Sequence, residues 1–191
     1  MSNIIIRKDG IDPYQDVLVR GQILLSAIQS INYNEFKSIV EEWLAENKID
    51  AIKPDKWYSR QQWIKLLASL ENHANTMQNQ ISISIKIIDN ASIPEEIVID
   101  TVEAAINILI VVYVNEQKNL PKGDTGYKVT RVDENNYEIL DTSPYPFNTV
   151  YGYIWGILRR FMKRDFTLTH EFLNKENPLM GGILFKVKLT G

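Results

Sequence analysis

Apolar positions recur at helical spacing along the first part of the chain and alternate at strand spacing along the last part. Val17, Leu18, Ile23, Leu24, Ala27, Ile28 and Ile31 predict a helix over residues 13–30. Gly21 is its weak point, since glycine costs roughly 1 kcal/mol against alanine inside a helix. Asn34 is placed as an N-cap, with Glu35 at the positive end of the dipole and Phe36, Ile39, Val40, Trp43 and Leu44 on one stripe, so a second helix follows. Residues 48–58 read as a loop that turns at Pro54 and Asp55. Ser59 with Gln62 forms a capping box for a third helix that buries Trp63, Ile64, Leu66, Leu67 and Leu70.

Residues 80–89 carry two periods at once. Ile81, Ile83, Ile85 and Ile87 alternate with polar residues as in a strand, while Ile81, Ile85 and Ile88 also fall on one helical face. Pro94, Glu95 and Glu96 then suit the first turn of a long helix that reaches about Asn115. Its C-terminal half is apolar nearly all round, which predicts the central core helix.

The tail reads strand, strand, helix, strand, strand. Residues 127–132 and 137–141 form a hairpin around 133–136, and Pro144 and Pro146 make 142–147 an extended lead-in. A helix within 148–164, capped by Asn148, separates this hairpin from strands at 166–172 and 183–189. Phe166, Leu168, His170 and Phe172 share one face. Lys186 and Lys188 give the last strand a wet side. The class predicted is α+β: an N-terminal helical bundle followed by a ββαββ unit with a small antiparallel sheet. With no repeat and no linker, residues 1–191 read as a single domain.

Composition narrows the function more than it names one. With 45% hydrophobic and 24% charged residues, wholesale disorder is excluded. A net charge of −3 gives no basic footprint for nucleic acid. The absence of cysteine removes disulfide scaffolds, thiolate metal sites and thiol nucleophiles. The N-terminal apolar run is too short for a signal peptide, and Ala104–Val114 is too short to span a bilayer, so the expectation is a cytoplasmic chain. The Glu41–Glu42, Glu95–Glu96 and Asp133–Glu134 pairs are explained by solvated flanks, a helix start and a turn. No nucleophile, phosphate-loop or metal motif is present, so no catalytic residue and no metal site is assigned.

The segments Ser143–Phe161, Phe166–Phe172 and Gly181–Leu189 resemble the ligand-binding superfamily of haem nitric-oxide-binding domains, 4-vinyl-reductase-like domains and transport-particle (TRAPP) subunits. The resemblance implies helices followed by an antiparallel sheet with a helix packed on it, and it implies that residues 80–89 are helical. The chain departs from the pattern in two ways. It lacks the cysteine clusters of the vinyl-reductase group, and Tyr58–Arg60 has the wrong spacing for the Tyr-x-Ser-x-Arg motif of the haem sensors, so no haem ligand is carried over and haem as a cofactor has no motif behind it.

What remains is a non-enzymatic small-molecule-binding or sensory module with an apolar pocket; the alternative is an interaction protein that dimerises or joins a complex without a ligand. Trp63, His73, Tyr151, Trp155 and His170 are the candidate pocket residues, and Tyr153 and Trp43 add aromatic bulk that could line an apolar cavity. The plain reading of His170 is a hydrogen-bonded sheet histidine, and of His73 a helix-end histidine favoured by the dipole. Gly152 and Gly156 allow close approach of another backbone, either within the chain or across a homodimer. Arg159, Arg160, Lys163 and Arg164 form a candidate anion patch, or else simply complement the helix dipole.

Overall fold

The computed structural model describes residues 14–30, 33–72, 76–90, 98–174 and 182–190. Within them the order is β1 (Leu18–Arg20), α1 (Gly21–Ser30), α2 (Tyr33–Glu46), β2 (Trp57–Ser59), α3 (Arg60–Asn72), α4 (Thr76–Asn90), α5 (Val102–Asn115), β3 (Gln117–Lys118), β4 (Tyr127–Arg131), β5 (Asn136–Asp141), α6 (Phe147–Phe161), β6 (Asp165–Phe172) and β7 (Ile183–Thr190). The class is α+β, helices first and a four-stranded antiparallel sheet last, in the order β4-β5-β7-β6. No helix among the described residues is long and apolar enough to cross a membrane.

The first predicted helix starts later than its apolar spacing suggests. Residues 18–20 are extended and pair with β2 and β3 in a small antiparallel sheet, ordered β2-β1-β3. Gly21 opens α1 rather than weakening its middle. Its backbone N–H donates to the Lys56 carbonyl, and a β-carbon there would lie 2.1 Å from the Lys53 carbonyl oxygen. The loop predicted at 48–58 therefore ends in a short strand laid across the start of α1.

Residues 80–89 are helical. The β-branched isoleucines are overruled by packing: Ser84 is fully buried and meets Gly152 of α6, and Ile85 and Ile88 meet Gly156. Helix α5 begins at Val102, capped by the Thr101 side chain. The start predicted at Pro94 falls outside the described residues, but residues 98–100 are not helical. Nor is α5 buried all round. Val111, Val112 and Val114 are exposed, and the central helix is α6, held between the sheet and α4.

Helix α6 is capped by Pro146, not Asn148. The Asn148 backbone and side-chain amides both donate to the Glu71 carboxylate of α3, which ties the tail to the helical half.

Two apolar clusters result. One holds α1, α2 and α3 residues, among them Leu24, Phe36, Val40, Trp63 and Leu66, together with Ile83 of α4. The other joins α5, α6 and the inner face of the sheet, and it takes in Ile88 of α4. Tyr145 packs against both.

Candidate functional site

The flanks of α6 organise two hollows. At 100° per residue, Val150, Ile154, Ile157 and Leu158 face the sheet, and Gly152 and Gly156 face α4. Tyr151 with Trp155 then point to one side and Tyr153 to the other.

The Tyr151 side is a surface groove. It is lined by Ile81, Phe147, Tyr151, Leu168, Thr169 and His170. Tyr151 stacks on Trp155 at 6.1 Å, and the Phe147 ring lies 4.5 Å from the His170 ring. Three of the predicted pocket residues thus come together, but on an open face where His170 is exposed. Trp63 does not join them. It is fully buried in the helical cluster. His73 lies outside the described residues.

The Tyr153 side is a deeper cavity of about 370 Å³ at the seam of the two clusters. Its walls come from α1 (Gln22, Ile23, Ser26), α4 (Ile87, Ile88), α5 (Ile108, Leu109, Val112, Tyr113), β4 (Tyr127), the lead-in (Tyr145) and α6 (Tyr153, Ile157), with Glu116 and Gln117 beside them. This is the size range and mostly apolar character of small-molecule sites.

A buried polar network stands behind the Tyr113 wall. Arg60, 1% exposed, donates through Nη1 to the Tyr113 hydroxyl (3.1 Å) and to Gln117 Oε1 (3.0 Å). Tyr113 donates in turn to Asp124 Oδ2 (3.1 Å), whose other oxygen accepts from the Gly126 N–H. Tyr113 therefore links a buried cation to a carboxylate, an arrangement that limits the penalty of burying the guanidinium. Burial pushes the Tyr113 hydroxyl well above its ordinary range, and the Arg60 charge opposes this only in part.

Burial also raises the other three phenols. The Tyr127 hydroxyl goes up, with the nearby Asp141 carboxyl adding to the effect. Tyr145 is pushed up to about 12, and Tyr153 goes up as well. All four are neutral hydrogen-bond donors at physiological pH. Asp141, buried at the end of β5, is itself pushed up to about 7 by burial, although hydrogen bonds from Ser143 pull the other way.

The glycines and cations have internal uses. Gly152 and Gly156 are buried against α4 of the same chain, so the face that could have formed a dimer seam is already covered. Arg159 pairs with Asp89 at 2.5 Å, and Arg160 donates to the Ile88 carbonyl, so both fasten α6 to the end of α4. Lys163 and Arg164 are exposed beyond them. Among the described residues no group of three or more His, Asp or Glu side chains could hold a metal ion.

Of the four cavity tyrosines, Tyr153 belongs to the aromatic bulk expected to line a cavity, whereas Tyr113, Tyr127 and Tyr145 escape a sequence reading because each lies on a different element and each looks like ordinary core. The signal available was composition: nine tyrosines against six phenylalanines, with six of the nine falling between residues 113 and 153.

No family model and no curated protein sequence matches the chain. Solved structures do match in fold. An H-NOX protein from S. oneidensis in the Fe(II)NO ligation state aligns over 90% of this chain and 99% of its own, with a TM-score of 0.65 and 14% identity. The I5F mutant of the T. tengcongensis H-NOX aligns over 90% and 98%, at 0.59 and 14%. A third structure, solved to probe haem distortion in the H-NOX family, aligns over 90% and 95%, at 0.62 and 15%. At these identities the likeness is one of fold.

Proposed function

We propose that this chain is a single-domain, non-enzymatic ligand-binding module that takes a small apolar molecule into the seam cavity and acts as a sensor through it. The observation that carries the reading is the position of the hollow: about 370 Å³, walled by α1, α4, α5 and α6, between two apolar clusters that share Tyr145. A ligand there touches both halves of the chain at once, so its binding can act on how they pack together.

Haem does not suit this cavity. Among its described wall residues there is no histidine, and His170 lies on the opposite flank of α6. Tyrosine ligates iron as phenolate, and burial disfavours that form at Tyr113, Tyr145 and Tyr153. The sequence contains no Tyr-x-Ser-x-Arg.

The test uses the neutral fluorescent hydrophobe N-phenyl-1-naphthylamine. It should bind saturably with one-to-one stoichiometry. Val112→Trp, at a 40% exposed wall position, should abolish binding while circular dichroism stays unchanged. Ser26→Phe blocks the α1 side independently. Binding that survives both substitutions, or no binding to the unaltered chain, refutes the reading.

A further inference from the structure

We propose that the seam cavity selects a neutral, planar, mostly apolar molecule that presents a carbonyl-type acceptor to the hydroxyls of Tyr145 and Tyr153; quinones and aromatic ketones exemplify the class. The inference rests on the ligand-binding reading above and adds what kind of ligand the cavity prefers.

The body of the ligand follows from the walls. Ile88, Leu109, Val112 and Ile157 offer only hydrocarbon. Tyr113 meets Tyr127 and Tyr145 edge to face, at 6.0 Å and 79° and at 6.3 Å and 89°, so aromatic rings border one end and suit a planar aromatic guest.

The polar end follows from hydrogen-bond accounting. Tyr113 is committed to Arg60 and Asp124. Tyr145 and Tyr153 line the cavity and hydrogen-bond to none of the described residues. Both residues are half-buried, and neither hydroxyl is among the fully buried side-chain atoms that lack a partner, so both are open to the cavity. A guest that fills the cavity displaces water from these hydroxyls, and a donor left without a partner is then costly, so an acceptor on the ligand satisfies it.

Neutrality follows from the charges nearby. Arg60, the one buried cation among the described residues, is not a wall residue; Tyr113 and Gln117 stand between it and the cavity and take its Nη1 donations. The charges that act on Tyr145 are Arg60 first and Asp124 second; Asp141 acts on the neighbouring Tyr127, and Glu116 at the rim pairs with Arg20. An anionic ligand would be desolvated in a cavity with no lysine or arginine among its wall residues, Arg60 being held behind Tyr113 and Gln117.

Calorimetric titration of the intact chain with three probes of one ring size separates the possibilities: 2-methyl-1,4-naphthoquinone, 2-methylnaphthalene and 2-naphthoate. The chain has no cysteine, so the quinone has no thiol to alkylate. The quinone should bind roughly ten-fold tighter than the hydrocarbon, as expected for two modest hydrogen bonds. Tyr153→Phe and Tyr145→Phe, which keep the ring, should each remove several-fold of the quinone affinity and leave hydrocarbon affinity unchanged. Thermal melts establish that both variants are folded. If the hydrocarbon binds as well as the quinone, or the naphthoate binds best, or both Phe variants bind quinone normally, the acceptor proposal is overturned while the cavity reading stands. If none of the three binds, both fall.

Discussion

Substitution of Gly152 by alanine probes the contact that holds α6 between the sheet and α4. The new β-carbon would lie 2.5 Å from the Ser84 β-carbon and 2.7 Å from the Ile81 carbonyl oxygen. Neither neighbour can rotate away, because one is a β-carbon and the other is backbone, so α6 and α4 must separate. Overpacking of this kind costs about 1–3 kcal/mol, and a backbone clash belongs at the upper end. Alanine recovers about 1 kcal/mol of helix propensity. The net loss is about 2 kcal/mol, or roughly 4–8 °C in Tm for a chain of this size. Gly156→Ala is the internal control. Its β-carbon would sit 3.2 Å from Ile85 Cα and Ile88 Cβ, where a shift of a few tenths of an ångström suffices. Propensity should offset that strain to within about 1 kcal/mol. Urea unfolding, followed by circular dichroism and by tryptophan fluorescence to check two-state behaviour, gives both numbers. Adding Ser84→Gly to Gly152→Ala should restore part of the loss, because it removes the shorter contact and leaves the carbonyl. A Gly152→Ala chain as stable as the parent, or a Gly156→Ala chain that is worse, would refute the packing described for α6.

Other predictions follow from single residues. Asp141 has a folded pKa of about 7 against 3.8 for the free group, so its carboxyl is protonated in the folded chain and ionised in the unfolded chain between those values. Stability should therefore fall as pH rises from 5 to 8, by about 2–3 kcal/mol from this group, and Asp141→Asn should flatten the profile; an unchanged profile in urea melts at the two pH values refutes the assignment. Tyr113→Phe strips the buried Arg60 of one acceptor and should cost about 1–3 kcal/mol, measured by the same melts. Arg159→Ala breaks an ion pair with half-exposed partners and should change stability by less than about 1 kcal/mol, so a larger effect would show that the α4–α6 tie is stronger than its exposure suggests.

How much of this was legible in the sequence depended on whether the deciding contacts were local. The tail was readable because alternation, prolines and a strongly sided helix are properties of consecutive residues, and β4, β5, β6 and β7 fall within a residue or two of the alternation. The small sheet ordered β2-β1-β3 was not readable. Strands of two or three residues carry no period, and Leu18 and Val19 fit a helix equally well until Lys53 is seen to close over Gly21. The isoleucine-rich stretch was ambiguous for the same reason, since what decides it is the Gly152 and Gly156 face of a helix some seventy residues further along. The all-round apolarity of α5 misled in the opposite direction: Val111, Val112 and Val114 are apolar without being covered by the described residues. Aromatic bulk on α6 pointed to Tyr151, Tyr153 and Trp155 together, of which Tyr151 and Trp155 line or border the groove. Tyr153, on the other flank, looked no different in sequence, and only the folded chain sets it beside Tyr145.

The location of the cavity bears on what a bound molecule can do. A ligand shifts a conformational equilibrium only as far as it binds one arrangement better than another. A ligand enclosed within either apolar cluster would stabilise that cluster and leave the relation between the two untouched. The seam is different, because Tyr145 is at once a cavity wall, a contact of the helical cluster and a contact of the sheet cluster, while α4 contributes Ile83 to one and Ile88 to the other. A guest that fixes Tyr145 by a hydrogen bond therefore acts on both packings together. Asn148 and Glu71 reinforce the same seam from the other end of the lead-in, joining α6 to α3. Relaxing that tie with Glu71→Gln while the cavity tyrosines stay intact should weaken the ligand's effect on the exchange protection of α1 amides more than it weakens binding itself. Equal losses in the two would mean that occupancy is not passed through the seam.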